Sequence, residues 1–223
     1  MILAAGRGER MRPLTDRTPK SLLMAGGKPL IVWHIEKLAA AGFTGIVINH
    51  AHLGAMIEDV LGNGASFGID IVYSREAQAL ETAGGIAQAL PLLGDAPFAV
   101  VNADVYSDFD YIRLASAVDR LARQDLNAHL VLVANPEHHT AGDFALRDDF
   151  VALDGTRLTF SGIAAYRPAM FGAITRGTKA PLAPLLRAEI AAQKVGGEHY
   201  SGRWRDIGTP ERLAQLERDL AAR

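Results

Sequence analysis

The chain opens "MILAAGRGERMRPLTDRTPKSLL", and this stretch constrains the fold more than any other. Met1 to Leu3 read as the end of a buried strand. Gly6 and Gly8 then break it, and Arg7, Arg10, Arg12, Arg17 and Lys20 follow within one loop's length. Loops that leave the carboxyl ends of strands in an open α/β sheet are where such folds place ligands. The loop is therefore either a solvated basic turn or a cradle for several negative charges, such as a nucleotide triphosphate. The strand begins at the first residue, so further native residues are expected ahead of it.

The rest of the chain supports the sheet that this loop requires. "PLIVWHIEKLAAAG" carries Ile31, Ile35 and Leu38 at helical spacing, with Pro29 suited to a first helical position and Gly42 to a stop. Ile46 to Asn49 form a short buried strand. Leu53, Met56, Ile57, Val60 and Leu61 mark a second amphipathic helix. "IDIVYS", "FAVVNADVY" and "AHLVLVAN" read as strands, and "TAGGIAQAL" and "YIRLASAVDRLAR" as helices. Nearly all-apolar strands alternating with helices predict an α/β, mostly parallel sheet covered on both faces. From about Asn135 to Arg167 shorter pieces with polar turns predict a small antiparallel addition. "PLAPLLRAEIAAQ" is a late helix. "TPERLAQLERDL" is another, with Thr209 as N-cap and Leu213, Leu216 and Leu220 turned to the core.

At 223 residues the chain suits one domain with a sizeable core. No linker or long charge run divides it, and no run is long enough to span a membrane. No basic, apolar export leader is visible, so the expected location is the cytoplasm. The absence of cysteine excludes disulfides and thiolate chemistry. A net charge of −2 argues against nucleic acid as a partner, because phosphate neutralisation needs a basic protein.

Gly6 and Gly8 let backbone amides approach a phosphate, while Arg10 can neutralise one bidentately and Lys20 as a point charge. Spacing excludes a Walker A loop. A dinucleotide fingerprint would need a third small residue where Met11 stands. Asp104 lies just past an apolar strand and Asp206 just before Gly208; each is either a turn residue or a ligand in the same strand-end crevice. His50 with His52, and His138 with His139, lack a third ligand at sensible spacing and read as surface or turn histidines. Trp204 and Tyr200 read as core or pocket wall.

"LAAGRGERMRPLT" followed by "TPKSL", with "LETAGGI", "VVNADVY" and "WRDIGTPERL" in order, resembles the sugar-1-phosphate nucleotidylyltransferases over essentially the whole chain. The resemblance implies a Rossmann-like, three-layer GT-A-like fold. It also implies a reaction in which an NTP and a sugar 1-phosphate give an NDP-sugar and pyrophosphate. By the same resemblance, Arg10 and Lys20 are catalytic, and Asp104 and Asp206 are both catalytic and the carboxylates that hold Mg²⁺. Leu3, Ala4, Ala5, Gly6, Gly8, Glu76, Glu81, Thr82, Gly84, Gly85 and Asn102 are implied on the nucleotide side. Asn135, Asp143, Ser161 and Gly162 are implied on the sugar side. One domain over 1–223 would then divide into a nucleotide-binding part, about 1–110, and a sugar-binding part, about 111–208. The partners expected are small molecules, with the protein a monomer or small homo-oligomer.

Two positions depart from the family pattern. Ser21 follows Lys20 where proline is usual. Ala103 precedes Asp104 where glycine is usual, which would strain the backbone if that position needed a positive φ. The compact length, with "INHAHLG", "ALPLLGDAPF", "TFSGI" and "GEHYSGRWRDIGT", most resembles the uridylyltransferase branch acting on N-acetylmuramic acid 1-phosphate in cell-wall recycling. UTP is then the expected nucleotide. Mannose-1-phosphate guanylyltransferases share much of the pattern. A non-catalytic sugar-nucleotide sensor is a third reading, which retention of all four charged residues disfavours.

Overall fold

The apolar start of the chain becomes β1 (Ile2–Leu3), and the computed structural model describes residues 1–222. After the basic loop come a hairpin of β2 (Met24–Ala25) and β3 (Lys28–Pro29), then α1 (Leu30–Ala40), β4 (Gly45–His50), α2 (Gly54–Leu61) and β5 (Asp70–Arg75). The middle of the chain gives α3 (Glu81–Leu93), β6 (Phe98–Asn102), β7 (Val105–Ser107), α4 (Tyr111–Arg123) and β8 (Ala128–Val133). The last third holds β9 (Phe144–Arg147), β10 (Phe150–Ala152), β11 (Arg157–Tyr166), α5 (Leu182–Ala191), β12 (Val195–Tyr200), β13 (Trp204–Asp206) and α6 (Pro210–Ala221).

Nine strands form one mixed sheet in the order β5-β4-β1-β6-β11-β8-β12-β10-β9. β5, β4, β1 and β6 run parallel, with β1 between β4 and β6, so the chain reverses its direction of travel across the sheet at β1. That reversal opens a crevice at the carboxyl end of β1, where the basic loop begins. The antiparallel addition is present but not peripheral: β11 inserts between β6 and β8 and runs against both. Its ten residues are long enough to pair with β9 at one end and β6 at the other. β9 pairs with both β10 and β11, so β11-β8-β12-β10-β9 closes on itself. The register of β11 against β8 shifts between Phe160 and Ala164, and Gly162 takes φ 77° inside that irregularity. A bulge of this kind bends a strand and re-aims its neighbours.

Side chains alternate across the sheet and build two apolar layers. On one face Ile2, Ile48, Val101 and Ile163 pack against Ile31 and Ile35 of α1, Ile57 of α2 and Leu114 of α4. On the other, Val47, Val100, Leu130 and Ala164 meet Ile86 of α3 and Leu186 of α5. Helices on both faces make three layers. Val60 of α2 is exposed rather than core-facing, and Pro29 stands just ahead of α1 as its cap residue. Beyond the main sheet, β7 and β13 pair as a two-stranded ribbon. α6 covers it, with Leu216 buried among Met11, Leu30 and Ile207, while Leu213 and Leu220 are partly buried there. Among the described residues no helix is long and apolar enough to cross a membrane.

Candidate active site

The loop after β1 folds on itself before it offers charge to anything else. Gly8 takes φ 70°, and a Cβ there would stand 2.9 Å from Thr15 Cγ2 and 3.3 Å from Lys20 Cβ. The Thr15 hydroxyl donates to Gly8 O at 2.8 Å. Arg7 donates to Thr15 O at 2.7 Å and pairs with Asp16 at 3.3 Å, and Arg12 pairs with the same carboxylate at 2.8 Å. Two of the five cations are therefore engaged in shaping the loop. Lys20 reaches out of it, with Nζ 2.5 Å from Asp104 Oδ2.

Asp104 sits in the turn between β6 and β7. The β7–β13 ribbon sets Asp206 opposite Val105, and Ile207 N donates to Asp104 O at 2.9 Å. Two carboxylates far apart in the chain are thus fixed as neighbours by backbone pairing. Arg212 Nη1 donates to both oxygens of Asp206, at 2.8 and 2.5 Å, and His138 Nε2 lies 3.1 Å from Oδ2. A Cβ on Gly208 would fall 2.9 Å from Arg212 Nη1, 2.9 Å from Asp206 Oδ1 and 3.2 Å from Arg10 Nη2. Glycine is needed here for close approach, since its φ is not positive. Arg10 therefore points at the Asp206 side of the site while Lys20 holds Asp104.

Two cavities meet at Asn102 and Asp104. One of about 210 Å³ is walled by Leu3, Ala4, Ala5, Gly6, Glu81 and Thr82, with Lys20, Asn102 and Asp104 at its end. The other, of about 370 Å³, is walled by Arg10, Asp206, Ser161, Gly162 and Trp204, and it shares Asn102 and Asp104 with the first. Asn102 is seated by the β11 bulge: a Cβ on Gly162 would stand 2.5 Å from its Nδ2. Ser161 accepts the Trp204 indole N–H on its carbonyl at 2.8 Å. Glu81 is one of only four non-glycine residues at positive φ among the described residues, at 61°. Strain of this sort concentrates at ligand-binding sites. Ala103 is not among those four, so its replacement of glycine is unstrained.

Other predicted residues lie behind the walls. Glu76 is buried; its Oε1 accepts from Asn49 Nδ2 at 2.7 Å and its Oε2 from Leu80 N at 2.9 Å. Burial pushes its carboxyl above the usual range, and those two hydrogen bonds oppose the shift. Asn49 Oδ1 in turn accepts the Ala4 amide at 2.9 Å, so the group braces the cavity floor. Gly85 makes room for it, a Cβ there falling 2.7 Å from Asn49 Nδ2 and 2.8 Å from Glu76 Oε1. The Gly84 amide already donates to Ala180 O at 3.1 Å and cannot also read a base edge. Asn135 donates to Thr140 O and Arg157 O and accepts from Thr159 Oγ1. Asp143 bonds Phe160 N at 2.8 Å and His139 Nε2 at 3.0 Å. These two side chains hold the turn before β9 to β11, and neither lines the cleft.

Residues 1–146 match the family described as nucleotidyl transferase. The chain belongs to that family. It is a nucleotidyltransferase, and its relatives extend the match over the full length. It is 54% identical over 222 residues to the N-acetylmuramate alpha-1-phosphate uridylyltransferase of Neisseria meningitidis serogroup B, covering 97% of this chain and 96% of that protein. It is 32% identical to the enzyme of the same name from Caulobacter vibrioides, over 99% and 96% of the two chains. A Bacillus anthracis structure described as a glucose-1-phosphate thymidylyltransferase superposes with a TM-score of 0.85 at 21% identity, over 98% of this chain and 93% of that one. That likeness speaks for the fold.

Three residues at the site escaped the sequence reading. Asn49 ended a strand within "INHAHLG" and was given no role. His138, read as a turn histidine, sits on Asp206. Arg212 had a signal: it is a cation in the first turn of α6, where the helix dipole disfavours positive charge.

Proposed function

We propose that this nucleotidyltransferase moves UMP from UTP onto N-acetylmuramic acid α-1-phosphate. A phosphate oxygen of the sugar attacks the α-phosphorus, the bond from that phosphorus to the bridging oxygen breaks, and the electron pair leaves with pyrophosphate. The nucleophile is already anionic near neutral pH, so the protein needs no general base. It must hold two anions in line and neutralise the charge that develops. Arg10 and Lys20 would do this, Lys20 from beside Asp104 and Arg10 from the Asp206 side of the site. The small cavity below β1 suits the nucleotide, and the cavity past the β11 bulge suits the sugar.

The donor set fits magnesium. Two neighbouring carboxylates on one cavity wall offer hard oxygen ligands. Mg²⁺ usually takes one or two protein carboxylates and fills its remaining positions with phosphate and water. Asp104 and Asp206 would hold it, and the Asp104 side chain is still 43% exposed beside Lys20. When bound, the ion would offset charge on the triphosphate.

The observation that carries this reading is that the two cavities share Asp104, with Lys20 on the wall of the smaller and Arg10 and Asp206 on the wall of the larger. The substrate choice rests on the 54% identity to the Neisseria enzyme. The test is pyrophosphate release from UTP, GTP, CTP or dTTP with a panel of sugar 1-phosphates and Mg²⁺. Release with UTP and N-acetylmuramic acid 1-phosphate is expected. Release confined to GTP and mannose 1-phosphate would overturn the substrate, and silence with every pair would overturn the site.

A further inference from the structure

Asp206 is gripped from a direction that the reaction does not require. Arg212 Nη1 donates to both of its oxygens, and His138 approaches Oδ2. A carboxylate has about four lone-pair positions, two on each oxygen. Arg212 uses one on each oxygen and His138 uses the second on Oδ2, which leaves a single position, on Oδ1. The carboxylate is thus restricted to one-point ligation in one orientation.

Arg212 does this without facing the reaction cleft. The wall shared with Arg10, Asp104 and Ser161 includes Asp206 but not Arg212. Arg212 instead lines a separate, larger cavity on the other side of Asp206. Its backbone is held firmly. Thr209 Oγ1 accepts from Arg212 N, Pro210 occupies the first helical position, and Leu216 anchors α6 in the third apolar cluster. Gly208 has no side chain in the space where Arg10, Arg212 and Asp206 converge. A cation in the first turn of a helix opposes the helix dipole, so its placement is not explained by helix stability.

We infer that Arg212 is a positioning residue: from α6 it fixes the rotation of the Asp206 carboxylate so that one defined oxygen position faces the cleft for the divalent ion. The inference rests on the functional reading above, and its test is separable from it. Mn²⁺ serves as the probe, its binding to the whole protein with UTP followed by electron paramagnetic resonance and compared with turnover. Substitution of groups that orient metal ligands typically lowers metal affinity or activity by about 10–100-fold. Arg212→Met is expected to weaken Mn²⁺ binding by about tenfold or more and to raise the Mg²⁺ concentration for half-maximal rate. Arg212→Lys keeps the charge but not the planar fork, and should recover only part of the loss. A melting curve shows that each variant is folded. Should Arg212→Met not fold, Arg212→Gln, which removes the charge but keeps a polar side chain, answers the same question.

Wild-type Mn²⁺ affinity in the folded variants would overturn the inference, as would tighter binding, which would mean that Arg212 only competes with the ion. Full recovery by lysine would reduce its role to charge. If the wild type releases no pyrophosphate with any substrate, the functional reading fails while the binding measurement still decides the role of Arg212.

Discussion

The two sides of the cleft use polar residues in opposite ways. On the β1 side, Lys20, Arg10, Glu81, Thr82 and Asn102 stand on cavity walls, carried by the loop after β1, the start of α3 and the end of β6. On the β11 side, Asn135 and Asp143 are half-buried off the cleft and bond to the protein's own donors and acceptors. There the wall combines the bulge at Ser161 and Gly162 and the Trp204 indole with His138, His139 and Thr159. A polar side chain in a plausible segment is therefore weak evidence of contact. What matters is whether its hydrogen-bonding capacity is still open once the fold has formed.

This contrast can be broken by experiment. The largest effect is expected where open charged groups are removed. Arg10→Ala should lower kcat by about 10²–10³-fold, the usual effect of deleting one group that stabilises developing charge. Asp104→Asn should do at least as much, and both proteins should melt normally. A change in nucleotide KM alone would make Arg10 a binding group only.

A saturated group should instead report through stability. His34 in α1 is fully buried, with Nε2 2.8 Å from Val105 O and Nδ1 2.7 Å from the Tyr111 hydroxyl. A carbonyl only accepts, so Nε2 carries the proton and the neutral ring accepts from tyrosine at Nδ1. Burial pushes its pKa down from 6.5 to about 4. Between those two values the unfolded chain takes up a proton that the folded one refuses, so stability falls as the pH drops through this window. The loss from this residue approaches about 3 kcal/mol near pH 4 and grows no further below it. Urea unfolding at pH 7 and pH 4.5, with the His34 ring followed by NMR, checks the sign. A ring that titrates near 6.5 in the folded protein would refute the account.

The smallest effect on catalysis is expected on the β11 side. Asn135→Ala removes three internal hydrogen bonds and should cost about 1–3 kcal/mol of stability. The sugar-phosphate KM should stay within about twofold. A tenfold rise with unchanged melting would mean that Asn135 contacts substrate and would erase the contrast between the two sides.

Periodicity and turn chemistry made the strand–helix alternation, the late helices and the Thr209 cap legible in the sequence. The charged core of the site was legible too, because Arg10, Lys20, Asp104 and Asp206 occur in motifs whose order matches the family. Pairing was not. The β11 insertion depends on which strands a ten-residue segment meets in space, and no local pattern encodes that. Gly84, Gly85 and Glu76 illustrate the same limit: a glycine-rich helix entry suggests access for a ligand, yet here Gly85 makes room for the Asn49–Glu76 brace and Gly84 for the backbone at Thr178 and Ala180. Arg212 and His138 were missed because their partner lies across a ribbon that the sequence does not announce.

The return of β9 onto β11 has a consequence beyond the site. A sheet with two free borders offers two rows of unpaired amides and carbonyls on which another chain can crystallise into fibre-like stacks. Here one border is consumed by the ring, which leaves β5. That remaining border is blunted: Ile71 N is taken by Asn63 O, the Tyr73 hydroxyl reaches Gly62 O, and Asp70 and Arg75 put opposite charges at its ends. The strand closure thus leaves a single border, already blunted, on which another copy of the chain could add.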